Sequence, residues 1–404
     1  MVRDPFETGG ALTQISDFFG DRIQVNSLLI VLSFVGVLAL SSQSAASYPT
    51  YCLAIAMLWR WREWTDVRSV RYLLVVITLL SYLVLSSLWS TPFALRDMLS
   101  VLVRALLVLL FVIAFGECTL RERVRGWLGR SLAVVATLAA ALAIFRYTTS
   151  REFLWDAGLQ GYGQLDNQII AALVFGAALL FVVDLLFTEN SPYWKALGML
   201  CVPVLLTAIY FCESRNAWFS VSIGLGVILT SRLVNDVQKF VAGVAALGLI
   251  LAVLLATLLA VDETRELLLP RGVSHRPDIW ISALARIVDG GLWFGLGINT
   301  PDSIPVGDLV FDHPHSLYIS ILWQGGLLGL LLFAVLVIWT LLGLIRNYDH
   351  NDAKLGLSLF SVALTGYILD GHELIDKVSD VWFLFWLPVA ICLGLLWRKP
   401  RLRF

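Results

Sequence analysis

Twelve long apolar runs leave this chain little choice but to fold inside a lipid bilayer. About 20 predominantly apolar residues make a helix long enough to cross the hydrocarbon core. Such runs occur at 24–41, 45–60, 71–89, 97–116, 127–146, 168–187, 196–212, 216–231, 240–261, 316–345, 355–370 and 380–397. The second and eleventh are short enough to tilt or to be partly re-entrant. Composition agrees: 58% of the 404 residues are hydrophobic and 15% are charged, with a mean hydropathy of +0.81. The pattern predicts an all-α, polytopic integral membrane protein with about twelve transmembrane helices, in contact with lipid throughout. A net charge of −1 gives no electrostatic reason to expect nucleic-acid binding.

Orientation follows from the basic residues, because Lys and Arg concentrate in short cytoplasmic loops. With the N-terminus inside, 19 of the 29 fall on the cytoplasmic side, including Arg60, Arg121, Arg130 and the tail Arg398–Arg403; nine fall outside and Arg104 lies within the fourth span. Both termini are therefore expected in the cytoplasm. Residues 1–23 mix acidic and basic side chains and offer no cleavage site after a short apolar core, so the first run is expected to stay as a span. Three regions result: spans one to nine over 1–261, an external loop over 262–315, and spans ten to twelve with a basic tail over 316–404. Within the loop, Ile279, Leu284 and Ile287 recur at helical spacing, which predicts a short amphipathic helix at the membrane surface.

The five cysteines are scattered, without a CxxC pair or metal-site spacing, and read as small apolar packing residues. Charges within spans are costly and invite functional readings. Arg104 either pairs with a neighbour such as Asp97 or lines a cavity open to the outside. The external side carries more. Glu213, Arg215 and Asn216 sit where the seventh span turns into the eighth, Arg271 and Arg276 lie in RGVSHRPDIW, and Asp312, His313 and His315 lie in FDHPHSLYISIL. Arginine presents a planar fork that matches phosphate oxygens, and histidine can take a proton near neutral pH. Together they suit a transfer in which a diphosphate leaves and a hydroxyl attacks. His313 and His315 also have a spacing seen in metal sites, but Asp312 is the one adjacent carboxylate in sequence. GLGINT at 295–300 reads as a turn, since no strand-and-helix unit surrounds it. Gln324–Gly326 marks a weak point for a kink in the tenth run.

These segments, in this order and topology, resemble the O-antigen ligase and polymerase superfamily of bacterial envelope glycosyltransferases. SRNAW (214–218) is similar to the family's arginine-bearing segment at the start of a span. RPDIWISALARIVDGGLWFGLGINT (276–300) resembles its external-loop pattern, and HSLYISILWQGGLLGLLLF (315–333) its His-Asn-x-x-Leu…Gly-Leu-x-Gly segment, with Ser316 where an asparagine is common. The resemblance implies an inner-membrane enzyme acting at the periplasmic face, without metal or other cofactor and with inversion. The donor would be a glycan on undecaprenyl diphosphate and the acceptor a lipid A–core oligosaccharide. His315 would be the general base, and Arg215 and Arg276 would contact the diphosphate, with Arg271, Arg104, His313 and Asp312 as further contacts. A polymerase or a protein O-oligosaccharyltransferase would share this chemistry with another acceptor. A flippase or transporter is disfavoured, because ionisable groups are nearly absent from the midplane.

Overall fold

The computed structural model describes residues 21–59, 62, 70–150, 158–246, 248, 275–371 and 373–398. Within them the chain is a helical bundle. In order come α1 (Arg22–Ala39), α2 (Gln43–Trp59), α3 (Val70–Leu85), α4 (Leu95–Thr119), α5 (Glu122–Thr149), α6 (Gln168–Thr188), α7 (Pro192–Phe211) and α8 (Arg215–Leu233). A short apolar helix α9 (Val237–Ala246) follows, then α10 (Arg276–Gly290), a hairpin of β1 (Ile304–Val306) and β2 (Leu309–Phe311), α11 (Leu317–Arg346), α12 (Asn351–Gly366) and α13 (Trp382–Trp397). Every apolar run but the ninth has a helix over most of its length; the ninth, 240–261, begins in α9, and its residues 247 and 249–261, with the first part of the loop after them, lie outside the described residues. Seven of these helices are long and apolar enough to cross a membrane: α1, α3 with its one-turn extension to Trp89, α4, α5, α6, α7 and α11. The all-α, polytopic membrane architecture therefore stands. The hairpin, a minor exception, was not anticipated.

Helix ends follow local chemistry. Asn167 and Ser214 cap α6 and α8 by accepting hydrogen bonds from the backbone N–H groups of Ile169 and Ala217. Charges at the bundle's polar end are paired: Arg22 with Glu117 at 2.6 Å, and Arg125 and Arg398 both with Asp352. Asp184 pairs with Arg232.

The amphipathic helix exists as α10, with one change of face. Ile279, Ala283 and Ile287 are buried and form a small core of their own with Ile304 and Trp323, whereas Leu284 is 39% exposed. The i, i+4, i+8 series fits a straight helix packed on the hairpin, and Leu284 falls off that line. Ser282 and Arg286 fasten α10 to the hairpin strand by donating to the carbonyls of Pro305 and Ser303.

The tenth apolar run breaks where expected. Gly326 adopts φ 62°, ψ −162° inside α11. The amides of Leu327 and Leu328 donate to the carbonyls of Leu292 and Trp293, and Leu296 donates to the carbonyl of Trp323. Tyr82 donates to the carbonyl of Gly325 at 2.7 Å. The break thus leaves few unpaired backbone groups, as burial inside the protein requires. Gly295 (φ 76°) and Gly326 lie so close that a Cβ on either would overlap the other's segment. Only glycine meets both demands there.

Candidate active site at the head of α11

Backbone pairing decides what meets His315. Ser316 is the N-cap of α11, yet its side chain makes no cap hydrogen bond. Instead the first helical amide, that of Leu317, donates to the carbonyls of Tyr367 and Asp370. The loop after α12 is thereby docked on the end of α11, and it carries Asp370 to His315: Nδ1 lies 4.0 Å from the carboxylate Oδ1. Asp370 is 3% exposed, and its Oδ2 has no hydrogen-bond partner among the described residues. The loop is held by Tyr367, which donates to Asp380 at 2.7 Å, and by Trp382 and Trp386, which donate to the carbonyls of Asp376 and Leu374.

His315 has φ 49° and Glu213 has φ 50°, the only positive-φ non-glycine residues among those described. Each immediately precedes the N-cap of a helix, α11 and α8 respectively. Left-handed backbone at a residue with a Cβ costs roughly 1–3 kcal/mol and persists where the surroundings impose it. Both bends turn a helix start toward the same end of the bundle.

The arginines sit on helices that converge there. Arg215 is exposed at the first position of α8, and its neighbour Asn216 donates to the carbonyl of Gly366, four residues before Asp370. Arg276 is half-buried at the start of α10, with an Nε that lacks a hydrogen-bond partner among the described residues. Trp280, one turn on, donates to the carbonyl of Pro314, and His275 faces Phe311 with ring centroids 6.0 Å apart. Arg271 lies outside the described residues.

The histidines form a cluster. The rings of His313 and His315 are 3.8 Å apart, and His313 Nδ1 lies 2.9 Å from Asp312 Oδ1. His313, His315 and Asp370 offer ligand atoms all within 4.8 Å of one another. The sequence placed Asp312 as the one carboxylate beside the histidines; Asp370 is a second, brought from 55 residues away. Arg104 pairs not with Asp97 but with Glu373, at 3.5 Å, and lies 3.9 Å from Asp376. Burial, with Glu373 beside it, holds the Asp376 carboxyl above its usual range. A cavity of about 400 Å³ opens over this group, lined among others by Arg104, His313, Asp370 and Asp376. None of the four acids of ILDGHELIDKVSD stood out in the sequence as site residues. Their placement at 370, 373, 376 and 380, between two apolar runs and on the side that the basic residues mark as external, was the available signal. GLGINT is a turn, as read.

The chain is 28% identical over 329 residues to the O-antigen ligase of Pseudomonas aeruginosa, covering 80% of this chain and 76% of the relative. Residues 199–334 match a family model described as O-antigen ligase; that stretch holds Arg215, Arg276, His313 and His315 but neither Arg104 nor Asp370. The segment from α7 to the first half of α11 is thus the part of the chain that is similar to the O-antigen ligase family model.

Proposed function

We propose that the protein is an O-antigen ligase, transferring a glycan from undecaprenyl diphosphate to a hydroxyl of a lipid A–core oligosaccharide at the periplasmic face of the inner membrane. The observation that carries this reading is the approach of His315 to the buried carboxylate of Asp370 at a bundle end where two arginine-headed helices converge. Twelve spans with both termini in the cytoplasm, and a periplasmic loop over 262–315, put Arg215, Arg276 and His315 on one side of the membrane.

In this mechanism Asp370 draws the Nδ1 proton of His315 toward itself and leaves Nε2 free to accept. The contact closes from 4.0 Å to hydrogen-bond length with substrate bound, as catalytic contacts in unliganded sites commonly do. Nε2 takes the proton of the acceptor hydroxyl while its oxygen bonds to the anomeric carbon. The anomeric C–O bond to the diphosphate breaks, and undecaprenyl diphosphate leaves with the electron pair. Arg215 and Arg276 stabilise that charge through paired N–H donors, so the step needs no cation. Attack from the face opposite the leaving group inverts the anomeric centre.

The test is transfer by the purified protein from lipid-linked glycan to either a lipid A–core acceptor or a second donor molecule. Product on lipid A–core is expected; chain extension would make it a polymerase, and no product would remove the transferase reading. A metal-assisted variant is favoured by one observation, the His313–His315–Asp370 cluster. Full activity in excess EDTA is the expected result, and its loss would establish that variant.

A further inference from the structure

A second, larger cavity of about 510 Å³ shares Arg104 and Glu373 with the one over the histidines. Its charged lining is Asp97, Asp302, Asp312 and Glu373 against the single guanidinium of Arg104. Four carboxylates around one cation repel a phosphate and attract groups that donate hydrogen bonds. A second feature points the same way. Gln324 also lines the cavity; it is 3% exposed, and its amide oxygen has no hydrogen-bond partner among the described residues. A buried acceptor of this kind beside a cavity can be satisfied by a donor from a bound ligand or from the water it displaces. Asn299 and Ser100 add neutral polar groups, and Phe311 adds an apolar face. Carboxylates and amides beside an aromatic face match the alternating hydroxyls and C–H surface of a sugar ring.

The wall is preformed. Ile298 and Asn299 donate their backbone N–H groups to the hydroxyls of Ser86 and Ser90, and Thr91 donates to the hydroxyl of Thr300. It is also continuous with the proposed base: the ring of Phe311 meets that of His315 edge-on at 6.4 Å, and Asp312 contacts His313.

We infer that this cavity binds the acceptor saccharide through its uncharged hydroxyl groups, with Gln324 and Asn299 setting acceptor affinity. The assignment to acceptor rather than donor rests on the transferase reading above: the donor's diphosphate belongs with the arginines, and the attacking hydroxyl must reach His315.

The test uses the full chain in nanodiscs and two readouts. In the first, saturation-transfer NMR follows binding of a core oligosaccharide freed of lipid and phosphate. In the second, half-saturating concentrations of acceptor and donor are measured separately during transfer. Gln324→Leu and, as a milder change away from the helix break, Asn299→Ala are each expected to weaken oligosaccharide binding about tenfold, the loss of roughly one hydrogen bond. Both should raise the acceptor requirement by a similar factor and leave that of the donor unchanged. Unchanged acceptor requirements in both variants, or equal shifts for donor and acceptor, would overturn the inference while leaving the ligase reading intact. Preferential binding of the donor's glycan, released from its diphosphate, would overturn the acceptor assignment. Oligosaccharide bound by a wild-type protein that transfers nothing would uphold the saccharide site and remove the ligase reading.

Discussion

In the proposed mechanism His315 and Asp370 divide one task, and single substitutions separate their parts. His315→Ala is expected to lower transfer by about 10²–10⁴-fold with the protein still folded, the usual contribution of a general base. Turnover near the wild-type rate in purified His315→Ala would remove it from the chemistry. Asp370→Asn keeps the shape but not the charge, and is expected to lower kcat by on the order of tenfold or more with little change in donor KM. A loss confined to KM would make Asp370 a substrate contact instead of a positioning residue. Arg215→Lys keeps the charge but loses the paired fork, so a reduced rate or weaker donor affinity is expected. Values unchanged in that variant would reduce Arg215 to a structural part. His315 and Arg215 stood out as candidates because each stands at the start of an apolar helix, where a charged or titratable side chain is conspicuous, and Arg276 because it opens the amphipathic α10 in the loop. Asp370 was not. It follows α12 in a stretch rich in acids, and only the bond from the Leu317 amide to two carbonyls of that stretch selects it.

At the scale of single elements, the break in α11 and the acid-rich loop both have measurable consequences. Gly326→Ala should lower thermal stability in detergent, because φ 62° and the overlap with Gly295 must both be relieved, at roughly 1–3 kcal/mol or more. Tyr82→Phe removes one hydrogen bond to that break and should cost about 0.5–1.5 kcal/mol. Equal melting of Gly326→Ala and wild type would show that the break does not demand glycine. Asp376 gives a pH dependence. Its folded pKa is raised, so the fold binds its proton more tightly than the unfolded chain does, and that contribution is complete at acid pH and lost as pH rises through the folded value. Asp376→Asn should therefore flatten the decline in melting temperature above the ordinary carboxylate range. A decline of the same slope in both proteins would refute this. The kink was visible in the sequence as paired glycines, whereas the face of α10 was misplaced by one residue. Leu284 satisfies helical spacing, but Trp323 and Ile304, which α10 packs against, are set by the hairpin and by α11.

Across the whole molecule, the layout can be read by labelling. With Cys52, the exposed cysteine, replaced by serine, a membrane-impermeant maleimide should modify Asp308→Cys in intact spheroplasts and Asp349→Cys only after lysis. Labelling of both in intact cells would contradict the proposed topology. The apolar runs dictated the helices because a bilayer leaves backbone groups no partner but their own chain. What they could not convey is depth and neighbourhood. Arg104 found Glu373 and not Asp97, since seven residues along one helix put Asp97 on the same face but about 10 Å away, and the loop after α12 brings Glu373 closer. The break in α11 also has a consequence for biosynthesis. Residues 292–297, which close it, are synthesised before any of α11, and Asp370 later still. The parts of the site are thus made in the order arginines, histidine, carboxylate, and its walls can set only when the final third of the chain has entered the membrane.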